Sequence, residues 1–198
     1  TTADLFETRG QGKEDLFMFR DSFGNSLVPV LSPSFASAHY SKLIPYDATY
    51  AFSLEPDILV VERAERLIPF FATDPPAMTS PPSTLAPYKL IDTAGKTKAS
   101  FKKNGIFKVI DGTIPARYRQ ADVEVFARVT MPGKDSQVRD YRGYRRSVIN
   151  DSHRIVNDFG YRFYLPEAEV PKGADIKIYA VSKDFGLEAK EIAKIQGK

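Results

Sequence analysis

The stretch Leu16-Phe17-Met18-Phe19-Arg20-Asp21-Ser22-Phe23-Gly24-Asn25 decides how this chain is read. An unbroken apolar run stops abruptly at a charged and polar turn, and Leu27, Val28, Val30 and Leu31 follow at helical spacing. That succession predicts a strand, a tight turn and a helix. In open α/β sheets, reactive groups collect at the carboxyl ends of strands, where the turn into a helix leaves backbone N–H groups pointing outward. Ser22 is therefore a candidate nucleophile. The amides of Phe23 and Gly24 and the side-chain amide of Asn25 are candidate oxyanion donors. Asp-Ser before a helix is also an ordinary N-cap, because a short side-chain oxygen satisfies the orphan amides of the first turn.

Outward from this turn the chain divides by rhythm. Residues 73–87 read T-D-P-P-A-M-T-S-P-P-S-T-L-A-P, a proline run that suits neither a helix interior nor a central strand, and this predicts a linker. Before it, residues 1–72 alternate: a strand at about 16–20, a helix from about 24, a short strand near Lys42–Ile44, a helical stretch after Asp47 and a strand at Ile58–Val61. A βαβαβ rhythm predicts a parallel sheet, and the apolar run Ile58–Val61 predicts a strand buried on both faces. After it, residues 88–198 carry period-two strands at 106–110, 123–129, 161–165 and 176–181, with turn residues between them. This pattern predicts an immunoglobulin-like antiparallel β-sandwich. Leu187–Ile195 reads as a terminal helix or a last strand. The expected fold is thus α/β plus all-β.

The order Arg20-Asp21-Ser22-Phe23-Gly24-Asn25-Ser26-Leu27, then Pro29, Leu31, Phe35 and Tyr46, then Pro56-Asp57-Ile58-Leu59-Val60-Val61-Glu62-Arg63, resembles the closing half of an SGNH-like hydrolase domain. It is similar to the bacterial cell-surface branch that holds DHHW-type proteins and alginate O-acetyltransferases. The resemblance spans about residues 14–72 and implies Ser22 as nucleophile, O-acyl hydrolysis or acetyl transfer on an extracellular polysaccharide, and a cell-surface or extracellular location. It also implies an Asp/His pair N-terminal to the serine, yet no histidine precedes Leu16. A serine hydroxyl needs an adjacent base, so the expectation is the C-terminal part of a longer protein. The base would then come from its upstream half or from a dimer mate.

The remaining candidates are supporting ones. Arg20 and Asp21 flank the serine, and Glu62 and Arg63 close the Ile58–Val61 strand near the same sheet edge, as site-orienting groups or as an ion pair at the rim. Of the two histidines, His39 follows the first helix and reads as a surface or packing residue rather than the missing base. His153, in Asn150-Asp151-Ser152-His153, reads as part of a polar loop, since triads are assembled across a fold rather than from sequence neighbours. The run Arg139–Arg146 interleaves arginine with tyrosine. Tyr141, Tyr144 and Arg145 are its candidate glycan-binding residues, set against a solvated β-loop. Asp184-Phe185-Gly186 reads as a turn.

Composition narrows the classes. The chain has 198 residues, 42% hydrophobic and 27% charged, which suits a soluble globular protein with a substantial core. A net charge of +3 is too small to argue for nucleic acid, and no apolar run is long enough to span a bilayer. Zero cysteines excludes disulfides and thiolate metal sites, and no histidine sits at ligand spacing, so neither a metal nor a cofactor is expected. The leading expectation is an incomplete SGNH-like serine O-acyl esterase or O-acetyltransferase. Its rival is a non-catalytic carbohydrate-binding or adhesion module.

Overall fold

The computed structural model describes residues 4–72, 75–133, 137–150 and 154–196. The chain forms two compact units, Thr1–Met78 and Thr79–Lys198.

The first unit is a mixed four-stranded sheet of β1 (Leu5–Arg9), β2 (Asp15–Phe19), β3 (Ser37–Ser41) and β4 (Ile58–Val61), in the order β1-β3-β2-β4. β2 runs parallel to both β3 and β4, and β1 is antiparallel to β3. The helices α1 (Val28–Leu31) and α2 (Ala48–Ser53) lie in the crossovers. α1 begins where Pro29 sets the first turn, and α2 begins where the Asp47 carboxylate accepts the Tyr50 amide at 3.1 Å. β2 is buried on both faces. Leu16 and Met18 pack with Val28, Ala38 and Tyr40 on one side, while Phe17 and Phe19 pack with Tyr46 and Ala51 on the other. Two aspartates hold the start of the parallel strands in register. Asp57 accepts the Asp15 amide at 2.8 Å, and Asp15 in turn accepts the Ser37 amide and hydroxyl at 3.0 and 2.6 Å.

Three expectations change here. The strand expected near Lys42–Ile44 lies earlier, at Ser37–Ser41, and β1 was not foreseen. β4 is not buried on both faces: it is an edge strand whose Ile58, Leu59 and Val61 are 41%, 36% and 37% exposed. A hydrophobic run reports apolar chemistry but not how many neighbours the strand has. In this sheet β2, rather than β4, takes the central place.

The second unit is built from two sheets. One has six strands, in the order β5 (Pro82–Ser83), β10 (Val138–Arg142), β9 (Glu124–Thr130), β13 (Asp175–Val181), β14 (Glu188–Gln196) and β6 (Lys89–Ile91). The other has four, in the order β11 (Tyr144–Ile149), β12 (Ile155–Pro166), β8 (Phe107–Thr113) and β7 (Ser100–Asn104). All pairings are antiparallel except β14 with β6. Alternation places Val125, Ala127, Val129, Ile176, Ile178 and Ala180 of the larger sheet in one core with Ile110, Tyr161, Phe163 and Leu165 of the smaller. The stretch after Leu187 resolves as strand, β14, because Ala189, Ile192 and Ala193 are buried against β13.

The proline-rich segment is built into both units, and the division falls inside it. Ala77 exchanges backbone hydrogen bonds with Tyr46 and Ala48, the Ser80 amide donates to Tyr164 O at 2.8 Å, and Pro82–Ser83 pairs with β10. The Arg139–Arg146 run is strand rather than loop. At Gly143 the chain leaves β10 of one sheet for β11 of the other, and a Cβ there would lie 2.7 Å from the Phe163 ring.

Candidate functional site

The parallel strands end together, and the Arg20-Asp21-Ser22 turn leaves the sheet at the carboxyl end of β2. Ser22 is exposed, its backbone is in the ordinary right-handed helical region (φ −68°, ψ −23°), and its side chain caps no amide. A 3₁₀ turn, Phe23–Ser26, follows directly.

Behind Ser22 the rim is tied by carboxylates. The two Asp21 oxygens accept the Phe23 amide at 2.7 Å and the Ala64 amide at 2.8 Å, joining this turn to the chain leaving β4. Glu62 Oε2 accepts the Asp21 amide at 3.0 Å, and the Glu62 amide donates to Phe19 O at 2.8 Å. Burial works to raise the Asp21 carboxyl, but the amides of Ala64, Phe23 and Gly24 outweigh it and hold the group below the ordinary aspartate value. Glu62 moves the other way. Its burial raises it, and the neighbouring Asp21 charge adds to the effect against the Asp21 amide. The two carboxyls therefore titrate as a couple in which Asp21 keeps the charge and Glu62 is the readier to take a proton.

Arg20 is fully buried below this pair, with its guanidinium 5.2 Å from the Phe6 ring centroid and hydrogen bonded to Asn25 Oδ1. Its own burial lowers its pKa, against the charges of Asp4 and Glu62. Gly24 is required by close approach: a Cβ there would stand 2.7 Å from both Arg20 Cβ and Glu62 Oε2. Arg63 lies over the rings of Tyr46 and Phe71 at 4.7 and 4.6 Å, and Arg66 lies over the exposed Phe23 ring at 4.8 Å.

The structure thus brings Arg20, Asp21, Ser22, Phe23, Gly24, Asn25 and Glu62 into one constellation. Within it, the Phe23 and Gly24 amides are turned toward the Asp21 carboxylate, so of the three candidate oxyanion donors only the Asn25 side-chain NH₂ is left, oriented by the bond from Arg20 to its carbonyl. Glu62 and Arg63 do not act as a rim pair with each other, because one turns to Asp21 and the other to aromatic rings. His39 sits within β3, opposite Glu7 and Phe17, its ring stacked on Phe17 at 6.2 Å and away from the rim. His153 lies outside the described residues, with Asp151 and Ser152. Sequence reasoning missed Ala64 and Arg66, and gave Tyr46 no place at the rim. The Ala64 contact is a backbone one, for which no side-chain signal exists.

The glycan candidates do not converge on an open surface. Tyr141 is buried with its hydroxyl donating to Glu169 at 2.7 Å, Tyr144 donates to Thr79 O at 3.0 Å, and Arg145 donates to Val123 O and Asp158 O at 3.0 and 2.6 Å. Burial, with the Glu169 charge nearby, pushes Tyr141 up to about 12. A cleft of about 510 Å³ opens elsewhere on this unit, between Lys98 and Ser100 on one side and Arg146 and Val148 on the other, over Asp111, Thr113 and Gly160. Asp111 there accepts from Arg146 at 2.9 Å and from Arg162 at 2.7 and 2.9 Å.

Among the described residues, no group of three or more His, Cys, Asp or Glu side chains is placed to hold a metal ion, and no helix is long and apolar enough to cross a membrane. No protein-family model, no curated protein and no solved structure matches the chain.

Proposed function

We propose that the first unit is part of an SGNH-like acyl-transfer domain acting on O-acyl groups of an extracellular polysaccharide at the cell surface, with Ser22 as nucleophile. The observation that carries this reading is an exposed serine hydroxyl at the carboxyl end of a central parallel strand, backed by a turn that carboxylates and a buried arginine hold in place. In the reaction, Ser22 Oγ adds to the ester carbonyl carbon and the bond to the departing alcohol breaks. The serine proton passes through a base to that alcohol, and the acyl-serine then gives its acyl group to a sugar hydroxyl or to water. The Asn25 NH₂ supplies one hydrogen bond to the developing oxyanion. Asp21 and Glu62 hold the turn, and the imidazole base comes from outside the described residues.

The second unit, in this reading, is an immunoglobulin-like sandwich that presents the polysaccharide. A purely glycan-binding protein is the second reading. It is favoured by the cleft to which Lys98 and Arg146 contribute and by the absence of a histidine beside Ser22 among the described residues.

One experiment separates them. The chain is incubated with a small acetyl ester in buffer with and without added imidazole, which stands in for the base. Imidazole-dependent acetate release above the imidazole-only blank, abolished in Ser22→Ala, is the result expected of the enzyme. Release equal in the two proteins, together with retention on an immobilised acetylated polysaccharide, supports the binding module and overturns the catalytic reading.

A further inference from the structure

The smaller sheet of the second unit turns one face into the core and the other outward. Alternation along registered antiparallel pairs sets Ser100, Asp111 and Arg162 in one row and Thr113, Gly160 and Arg146 in the next, on the face opposite to Ile110, Tyr161 and Phe163 of the core. The cleft of about 510 Å³ lies over these rows, a volume within the range of small-ligand sites. Gly160 keeps it open. A Cβ there would stand 2.8 Å from Arg146 O and 3.1 Å from Val148 Cγ2, where the register of β11 slips between Arg146 and Val148.

The charges around the cleft do not balance. Asp111 is the one carboxylate among the described residues that line it. Arg162 alone matches that carboxylate, donating to both of its oxygens at 2.7 and 2.9 Å. Arg146 adds Nη1 to Asp111 at 2.9 Å and gives Nε to Ser147 O at 3.3 Å, while its Nη2 has no acceptor among the described residues. Lys98 is exposed and forms no ion pair with the described residues, and the hydroxyls of Ser100 and Thr113 make no hydrogen bond with them. The cleft therefore offers two unmatched cations and two unused hydroxyls.

That donor set fits a phosphoryl group. A phosphomonoester carries a charge of about −1.5 to −2 at neutral pH and three acceptor oxygens, so it answers both cations and takes the hydroxyls as donors. A carboxylate has one charge and two oxygens and leaves one cation unanswered. We propose that this cleft binds a phosphoryl dianion, esterified or free, with Lys98 and Arg146 as its cationic contacts and Ser100 and Thr113 as its hydroxyl donors. Val148 lines the same cleft and gives the organic part of an ester an apolar surface. The site belongs to the second unit and does not depend on the chemistry of Ser22.

Amide NMR of the intact chain, titrated with glucose 6-phosphate at constant ionic strength, reads the site directly. The expected result is saturable shifts centred on Ser100, Thr113, Val148 and Gly160, with a dissociation constant on the order of 1 mM. Lys98→Ala, a change at an exposed side chain, should weaken it at least about fivefold, and Lys172→Ala, an exposed lysine outside the cleft, should leave it unchanged. A parallel titration with inorganic phosphate distinguishes the sources: saturation at similar concentration assigns the site to free phosphate, and weaker binding assigns it to an ester. Glucuronate and glucose are expected to bind at least about fivefold more weakly than the better of the two phosphates. No saturable shift with either phosphate, glucuronate binding as tightly as the better phosphate, or an affinity indifferent to Lys98→Ala would overturn the proposal.

Discussion

Asp21 does more in this structure than cap a turn. Its carboxylate ties the segment after β2 to the segment after β4 through the Phe23 and Ala64 amides, while Glu62 takes the Asp21 amide in return. Replacing Asp21 with alanine removes the acceptor of the part-buried Ala64 amide and leaves the exposed Phe23 amide to water, and chemical denaturation should show a loss of about 1–3 kcal/mol. Glu62 gives a pH signature with a definite sign. Because its pKa is raised in the folded state, its contribution is fully present below the unfolded value near 4.5 and is lost as pH rises through the higher folded value. Glutamine reproduces the protonated carboxyl, so Glu62→Gln should match the wild type in thermal midpoint at acidic pH and exceed it at neutral pH. A Glu62→Gln midpoint that falls further below wild type as pH rises would refute the shift. Ser22, Asp21 and Glu62 were legible as site candidates from their place at strand ends. The bonds that Asp21 makes to the Ala64 amide and to Glu62 were not, because partners about forty residues apart leave no mark on local pattern.

Among the elements, β2 and β4 show what an apolar run does and does not say. Both are continuous hydrophobic strands in sequence, yet β2 is covered by α1 on one face and α2 on the other, while β4 has a neighbour on one side only. The strand type was readable from period and length; the strand order was not, since it depends on which crossover passes which side of the sheet. The turn between β2 and α1 is a tightly specified local feature. Gly24→Ala would place a methyl 2.7 Å from Arg20 Cβ and Glu62 Oε2, so the variant should be destabilised by about 1–3 kcal/mol by equilibrium unfolding. A Gly24→Ala protein with unchanged stability would show that the turn has slack that the structure does not.

At the level of the whole molecule, the change from βαβ rhythm to period-two strands goes with a mixed sheet in the first unit and mostly antiparallel sheets in the second. The proline-rich stretch reads as a linker in sequence, and its own structure was hidden there. Prolines forbid a central strand yet allow an edge one, and that is the place Pro82–Ser83 takes beside β10. Asp140 anchors this segment: it accepts the Leu85 amide at 2.8 Å and the Arg128 guanidinium through both oxygens, at 2.7 and 2.8 Å. Asp140→Ala leaves the Arg128 charge and the buried Leu85 amide unpaired, and a loss on the order of 3 kcal/mol is expected, read as a lower unfolding midpoint.

The central claim is that one hydroxyl at the rim of the parallel sheet is set apart from its neighbours for acyl transfer. Peptide mass spectrometry after brief exposure to a small acetyl ester with imidazole tests it most directly, because the exposed Ser26 and Ser34 serve as internal controls on the same chain. The account predicts acetylation concentrated on Ser22 and dependent on imidazole. Equal labelling of Ser22, Ser26 and Ser34 would contradict it.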